Sequence, residues 1–213
     1  MAHTRFVIIP VVATLILMAA SSGRADDRVL FQAYLDSPDH QARVLELWRQ
    51  EGEFLCGQGE EPEQLGRVGL WIFGRLRFED GPDPVDGAWM QRMRGQSCGR
   101  ESTYNFLFAA ASDGPPKGVI LIPGMSDADF VLQRDVMQAV VPAAAVAAGC
   151  EAESGDGREF KVMDTARDSA FQGVRGEWQE IWDVRVCETD VRLDVTFSPD
   201  GKGGTYFNVK VRK

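Results

Sequence analysis

The chain has 213 residues, of which 44% are hydrophobic and 26% charged, a composition typical of globular proteins and too apolar for a disordered chain. Removing residues 1–25 takes away Arg5 and Arg24, so 21 basic residues then face 32 acidic ones and the net charge falls from −9 to −11. An acidic chain argues against nucleic-acid binding and against binding to an anionic membrane. His40 is the only histidine after residue 25, which excludes a multi-histidine metal site within one chain.

The N-terminus has the pattern of a secretory signal peptide over residues 1–25. Arg5 precedes an apolar run of 15 residues, Phe6–Ala20, and small residues stand three and one positions before a cut after Ala25. The alternative is an N-terminal membrane anchor, but a span needs about 20 apolar residues and this run contains Pro10. We therefore expect a soluble mature chain in the periplasm or secreted, without stable membrane insertion.

The first half begins with two predicted helices. A short helix is expected over Arg28–Leu35, and Ser37 as N-cap with Pro38 at the first helical position marks the start of a longer one. An apolar stripe at helical spacing supports the longer helix; its members are Val44, Leu45, Leu47 and Trp48.

One long helix is expected in the second half. Ser126 with Asp129 three residues later resembles a capping box, and Gly149 is placed to end the helix. Pro142 should kink or break it. Because Pro142 interrupts the apolar run Val136–Gly149, we expect no membrane span there.

Eight segments have the alternation or the β-branched and aromatic content of strands. They are Gly69–Phe78, Trp89–Gly95, Ser102–Ala110, Gly118–Ile122, Glu159–Met163, Trp178–Val186, Val191–Phe197 and Thr205–Val211. In Trp178–Val186, alternation places Trp178, Glu180 and Trp182 on one face, which should meet the helices. We expect Trp89, Trp178 and Trp182 in the structural core. The fold class expected is α+β with a mainly antiparallel sheet.

The chain repeats itself weakly. Gly87-Ala-Trp89 stands before Cys98, Gly176-Glu-Trp178 stands before Cys187, and each glycine lies 11 residues before its cysteine. In both halves a helical stretch and an earlier cysteine come first, and a strand-like run ending at an Asp-Gly turn follows. Coincidence of short motifs is the alternative, but the shared order and spacing favour a duplicated helix-plus-strands module.

The duplication predicts a first module over residues 26–122 and a second over 123–213, which could pack as one compact domain. The four cysteines are an even number in an exported chain, which indicates disulfides; they are Cys56, Cys98, Cys150 and Cys187. If each module carries its own bridge, the pairs are Cys56–Cys98 and Cys150–Cys187. The other two pairings and four free thiols are the alternatives. No C-x-x-C occurs, which argues against a thioredoxin-like redox site and a zinc ribbon.

Six segments carry a resemblance to other proteins: Leu132–Asp135, Val162–Thr165, Gly176–Trp182, Cys187, Thr196–Asp200 and Gly203–Thr205. Together they resemble a group of uncharacterised exported proteins of Gram-negative bacteria. The resemblance covers roughly residues 87–209. It implies export and a shared fold, and no established activity is attached to the group.

No catalytic, metal or cofactor site stands out. His40 would have to serve any histidine-dependent nucleophile, but it lies at a helix start beside Asp39 with no nucleophile motif near, so we expect it to be solvated. The acidic pair Asp127 and Asp129 and the cluster 151–156 lack calcium-loop spacing. The glycine-rich loop 201–205 lacks the P-loop pattern.

In two segments, charged residues stand among aromatic or apolar ones, and the face that each residue occupies decides the interpretation. Glu177 and Glu180 flank Trp178 and Trp182, which is a sugar-binding composition if the indoles are exposed, although alternation points both indoles inward. Arg75 and Arg77 belong to Gly69–Phe78, which is expected to be a half-buried strand with both arginines on its exposed face.

These observations favour a non-catalytic envelope protein that binds an unknown protein partner or assists assembly. The alternative is a carboxylate-dependent glycan hydrolase or carbohydrate-binding protein. A cleft with two acids about 5–9.5 Å apart and a tryptophan would favour the hydrolase. An exposed apolar patch would favour binding.

Overall fold

The computed structural model describes residues 23–56, 63–79, 81–97, 99–150 and 160–213. These residues form three helices and two four-stranded antiparallel sheets, so the predicted α+β class is confirmed. The helices are α1 Gly23–Leu35, α2 Pro38–Cys56 and α3 Phe130–Ala148. The strands are β1 Glu63–Phe78, β2 Pro84–Ser97, β3 Arg100–Ala111, β4 Gly114–Leu121, β5 Phe160–Arg167, β6 Trp178–Val186, β7 Thr189–Pro199 and β8 Thr205–Val211. The predicted signal peptide lies almost entirely outside the described residues.

Both sheets are meanders, in the orders β1-β2-β3-β4 and β5-β6-β7-β8. The pairing register of β2–β4 recurs in β6–β8 at positions 89 residues later: Trp89 faces Phe108, and Trp178 faces Phe197. In each pair the indole stacks on the phenyl ring, with centroids 5.4 Å apart in the first sheet and 4.6 Å in the second.

The first core lies between the two N-terminal helices and one face of the first sheet. Trp48 of α2 packs against Tyr104, and the ring of Phe31 meets Trp89 edge-on. The apolar stripe predicted for α2 includes Val44 and Trp48, both fully buried. Burial of this stripe is what holds a helix whose other face is charged.

The second core lies between α3 and β6–β8. Alternation along β6 buries Glu180, Trp182, Val184 and Val186, while Trp178 is half-buried. Val136, Val140 and Ala144 of α3 are buried against this face.

The start and the middle of α3 differ from the sequence prediction. Asp129, and not Ser126, is the N-cap: its Oδ1 accepts hydrogen bonds from the backbone N–H groups of Val131 (3.0 Å) and Leu132 (2.9 Å). Pro142 does not break the helix, because buried side chains on both sides of it hold α3 on the sheet. Uninterrupted, α3 is long and apolar enough, by length and composition, to cross a membrane, although no second span was expected.

A disulfide joins Cys150, just after α3, to Cys187, as predicted. Cys187 and Glu188 both have positive φ and form the two-residue turn between β6 and β7. The bridge therefore fastens the end of the helix to a hairpin of the second sheet. The predicted Cys56–Cys98 bridge lies outside the described residues, because Cys98 is not among them. Stapling of both halves therefore stays a prediction.

The segment between the two halves is clamped from both sides. Asn105 Nδ2 donates to the carbonyl of Gly124 (3.0 Å), and Thr165 Oγ1 donates to the carbonyl of Pro123 (2.8 Å). Gly124 has φ +99°, and a Cβ there would lie 2.2 Å from backbone atoms of Thr165. Only glycine fits this approach, so the chain is held on one path from β4 toward α3.

Glu180 on β6 has no exposed surface, and its carboxylate accepts five hydrogen bonds. The donors are Ser126 Oγ (2.8 Å), the backbone N–H groups of Asp127 (2.8 Å) and Ala128 (3.3 Å), and the indole Nε1 of Trp178 (3.1 Å) and Trp182 (2.9 Å). A buried carboxylate is tolerated when its lone pairs are used in this way. Glu180 thereby fixes residues 126–128 to the second sheet.

We expect Glu180→Ala to lower the free energy of unfolding by about 3 kcal/mol or more, since each buried donor left without an acceptor costs about 1–3 kcal/mol. Urea denaturation followed by tryptophan fluorescence measures this. Glu46→Ala removes an exposed glutamate of α2 and should change stability by less than about 0.5 kcal/mol. Equal effects of the two substitutions would contradict the role of Glu180.

Candidate functional site

Each sheet has one face covered by helices and one open face, and the two open faces differ in chemistry. On the first sheet, the strands β2–β4 present Met90, Arg92, Asn105, Leu107, Val119 and Leu121. The residues 89 positions later in the second sheet are Gln179, Ile181, Asp194, Thr196, Asn208 and Lys210. Four apolar positions of the first open face thus correspond to polar residues in the second.

The edge strand β1 carries the largest exposed apolar run. Its residues Val68, Leu70, Trp71, Ile72 and Phe73 are between 37% and 50% exposed. Among the described strands only β2 pairs with β1. The expectation of a half-buried strand was therefore wrong for residues 68–73. Farther along the same strand, Leu76 is buried and Phe78 is half-buried. Arg75 and Arg77 are exposed, as expected.

A cleft of about 310 Å³ opens where the first open face meets residues 126–133. This volume is at the small end of ligand pockets in proteins. Its apolar lining is Trp71, Phe73, Met90, Leu121, Ala128 and Phe130. Its polar lining is Arg92, Asn105, Ser126, Asp127, Asp129 and Gln133.

Trp71 and Arg92 form the floor of the cleft. Gly69 faces Arg92 across the β1–β2 ladder, and the indole of Trp71 lies where a Cβ of Gly69 would be, 2.4 Å from it. The guanidinium carbon of Arg92 lies 4.8 Å from the Trp71 ring centroid, a cation–π contact. Arg92 Nε donates to Asn105 Oδ1 at 2.7 Å. Together these contacts fix the guanidinium in place.

Arg92 has no ion-pair partner in the part of the chain that the structure describes. Burial lowers its pKa, and the charge of Asp127 partly opposes this. The neighbouring Arg94, by contrast, pairs with Glu101. Arg92 is therefore a half-buried cation that no carboxylate of the described residues pairs with directly, although the charge of Asp127 reaches it.

The other polar groups of the cleft already have partners. Asn105 Nδ2 donates to the carbonyls of Ile122 (2.8 Å) and Gly124, and Gln133 Nε2 donates to the carbonyl of Ala128 (2.7 Å). Asp127 pairs with Arg167, Asp129 caps α3, and Ser126 binds Glu180. Among the described lining groups, the outer N–H groups of Arg92 are the charged donors left for a ligand, and Gln133 keeps one of its two amide hydrogens.

A second cavity, of about 540 Å³, lies beside β6 and β7. Five of its eight lining residues are charged, and four of these have ion-pair partners: Asp183 with Arg192, Asp190 with Arg185, and Arg212 with Asp168. Because these four charges are neutralised, this cavity offers less for a ligand to recognise than the cleft at Arg92.

His40 is not solvated, so the sequence expectation was wrong. It is fully buried, with Nε2 2.9 Å from Gln91 Oε1 and Nδ1 2.9 Å from the Tyr34 hydroxyl. Since Gln91 Oε1 can only accept, Nε2 donates. Burial lowers the pKa of His40, which favours the neutral ring, and in the neutral ring Nδ1 accepts from the Tyr34 hydroxyl. Burial raises the pKa of Tyr34 to about 12. The ring orients α2 on the sheet and has no nucleophile as a partner.

The tryptophans of β6 do not form an exposed sugar platform. Trp182 is fully buried, as is Trp89 of β2, and Trp178 stacks on Phe197. The Glu180 carboxylate already accepts five hydrogen bonds, and the Glu177 carboxylate accepts one from Ser198 Oγ at 2.9 Å. No group of three or more metal-ligating side chains comes together among the described residues.

The sequence reading missed Trp71, Arg92 and Phe130 as site residues. One signal was present: Leu70–Phe73 is apolar at four consecutive positions, whereas a strand with one solvated face alternates. The face of the sheet on which Arg92 lies could not be predicted from the sequence, because it depends on the strand register that places Arg92 opposite Gly69.

No protein-family model, no curated protein and no solved structure matches the chain. The resemblance to exported Gram-negative proteins stays a prediction, and function is inferred from the geometry alone.

We expect stability to fall as the pH drops through about 6.5, the ordinary histidine pKa, because the pKa of His40 is lowered in the folded state and the unfolded chain then binds the proton more readily. Burial is the main cause; Arg43 and Arg67 act in the same direction, while the hydrogen bond from His40 Nε2 to Gln91 and the charge of Asp83 oppose it. Urea denaturation at a series of pH values should show this slope, and His40→Gln should lose it. An unchanged slope in the variant would contradict the assignment.

Proposed function

We propose that the chain is an exported, soluble, non-catalytic envelope protein that binds a protein partner through the first open face and the β1 edge. The observation that carries this is the difference between the two open faces. Because the second sheet reaches the same register with polar residues at these positions, the fold does not require Met90, Leu107, Val119 and Leu121 to be apolar. Val119 is exposed and the other three are half-buried, and apolar surface left open to solvent without a structural need indicates an interaction site.

The β1 edge supplies the binding mode. An edge strand with unpaired backbone groups and exposed apolar side chains accepts an extended segment of another chain as an added strand. Leu70 and Ile72 lie on one side of β1, and Trp71 and Phe73 on the other, so an added strand would gain apolar contacts on both sides. Export and a periplasmic or secreted location are part of this proposal and are supported by the N-terminal sequence pattern.

A glycan-directed function is the second candidate, because the cleft does contain two acids and a tryptophan: Asp127, Asp129 and Trp71. Against it, both carboxylates are engaged, one with Arg167 and one with the N-terminus of α3. Hydrolysis of purified cell-wall glycan by the wild-type chain, lost in Asp127→Asn, would favour this candidate over partner binding.

We also propose that the two halves descend from one module and that each carries its own disulfide. The shared register of β2–β4 and β6–β8, the stacked Trp–Phe pairs and the Cys150–Cys187 bridge support this.

The module proposal predicts a Cys56–Cys98 bridge, which should appear in non-reducing peptide mapping of the exported protein. A loop of 42 residues closed by this bridge should add about 4 kcal/mol to stability on the chain-entropy model, so Cys56→Ser with Cys98→Ser should lower the free energy of unfolding by about that much. A peptide joining Cys56 or Cys98 to any other cysteine, or free thiols at both, would refute it.

For partner binding, we expect a photo-crosslinking residue at position 70 to give adducts with another protein in periplasmic extract. Unlabelled wild-type chain should suppress these adducts. Ile72→Lys should need at least about ten times the concentration to do so, since truncating or charging a central interface residue costs about 1–2 kcal/mol or more.

Val211→Lys is the matched control, because Val211 is a similarly exposed valine on β8, the edge of the second sheet. It should compete as well as the wild type. Adducts only between copies of this chain would contradict a heterologous partner, and equal competition by both variants would contradict the β1 edge as the site.

A further inference from the structure

We propose that the cleft at Arg92 is a binding site for a small monocarboxylate carried on an apolar chain. This site lies on the open-face side of β1 and goes beyond the partner binding proposed above. The proposal depends on three features of the cleft: a cation without an ion-pair partner, apolar walls, and polar neighbours that mostly bind other groups of the protein.

The cation selects an anion. Because Arg92 Nε donates to Asn105 Oδ1, the two outer nitrogens of the guanidinium remain available to a ligand. These two nitrogens match the two oxygens of a carboxylate in a bidentate, charge-assisted pair. Because Trp71 and Asn105 already hold the guanidinium, little side-chain entropy is lost when the pair forms.

The rim favours one negative charge over two. Asp127 and Asp129 line the cleft, and both are acids, although each has its own partner. A phosphate dianion would meet stronger repulsion from them than a carboxylate would. A cation is disfavoured by Arg92 itself.

The walls select an apolar chain and argue against a sugar. Phe73 and Phe130 meet edge-on across the cleft, with ring centroids 6.4 Å apart, and Met90 and Leu121 complete the wall. A sugar would bring several hydroxyl groups, but Asn105 and Ser126 already use all their donors within the protein, and Gln133 uses one of its two amide hydrogens. Buried hydroxyls without partners reduce affinity.

Isothermal titration of the purified chain with three probes tests the proposal. Octanoate carries both the charge and the chain, octanamide lacks the charge, and acetate lacks the chain. We expect octanoate to bind at least about tenfold more tightly than either of the others, because a charged hydrogen-bonded pair is worth at least that factor. Weaker or equal binding of octanoate would overturn the proposal.

The variants locate the site. Arg92→Gln should weaken octanoate binding at least about tenfold, whereas Arg94→Gln, the next arginine on the same face of β2, should not change it. In the wild-type chain, octanoate should shift the indole N–H resonance of Trp71, a readout that does not need Arg92→Gln to fold. Equal binding by Arg92→Gln, or an unmoved Trp71 resonance, would each overturn the site.

The test also separates this inference from partner binding. Ile72 is opposite Trp89 and so lies on the helix-covered side of β1, away from the cleft. Ile72→Lys should therefore bind octanoate as the wild type does, whatever happens to its protein adducts. A loss of octanoate binding in this variant would count against a binding site on the open-face side of β1.

Discussion

The arrangement around the cleft depends on the hydrogen bonds that the buried carboxylate of Glu180 accepts. Glu180 lies on β6 of the second sheet, yet its donors include residues 126–128, which join the two halves and form one wall of the cleft. Two other ties join this segment to the second sheet: the backbone N–H of Met125 donates to the carbonyl of Thr165 (2.6 Å), and Asp127 pairs with Arg167. Gly124, clamped by Asn105 and Thr165, completes the same path. The position of the site is thus set by polar bonds in the interior.

The two halves solve one packing problem with different chemistry. Gln91 and Glu180 occupy equivalent positions, and each ties its strand to the beginning of the helix that covers it: Gln91 through His40, and Glu180 through the backbone before α3. In the first half, where Gln91 and His40 are neutral, the Trp89 indole N–H has no acceptor among the described residues. In the second half, the Trp178 indole N–H donates to Glu180. A buried charge is costly, and in the second half five donors offset that cost.

The open faces show where the halves diverge. Strand pairing and the buried alternation are shared, so substitutions on the solvent side change surface chemistry without changing the sheet. The second sheet has paired charges there, such as Arg192 with Asp183. The first sheet has apolar residues and Arg92, which has no ion-pair partner among the described residues. A protein that uses one sheet for stability and the other for contact would show this pattern.

The sequence by itself determined the order of helices and strands and the buried face of β6, because periodicity is a local property of the chain. The repeat in the sequence favoured the Cys150–Cys187 bridge over the other pairings, and the structure contains that bridge. It did not determine the burial of His40, the cap at Asp129 or the exposure of Leu70–Phe73. Each of these depends on which distant element lies opposite: Gln91 over His40, Glu180 beside Ser126, and no described strand beyond β1. Alternation tells which residues share a face, but only the tertiary structure decides which face is covered, because covering is done by residues far away in the chain.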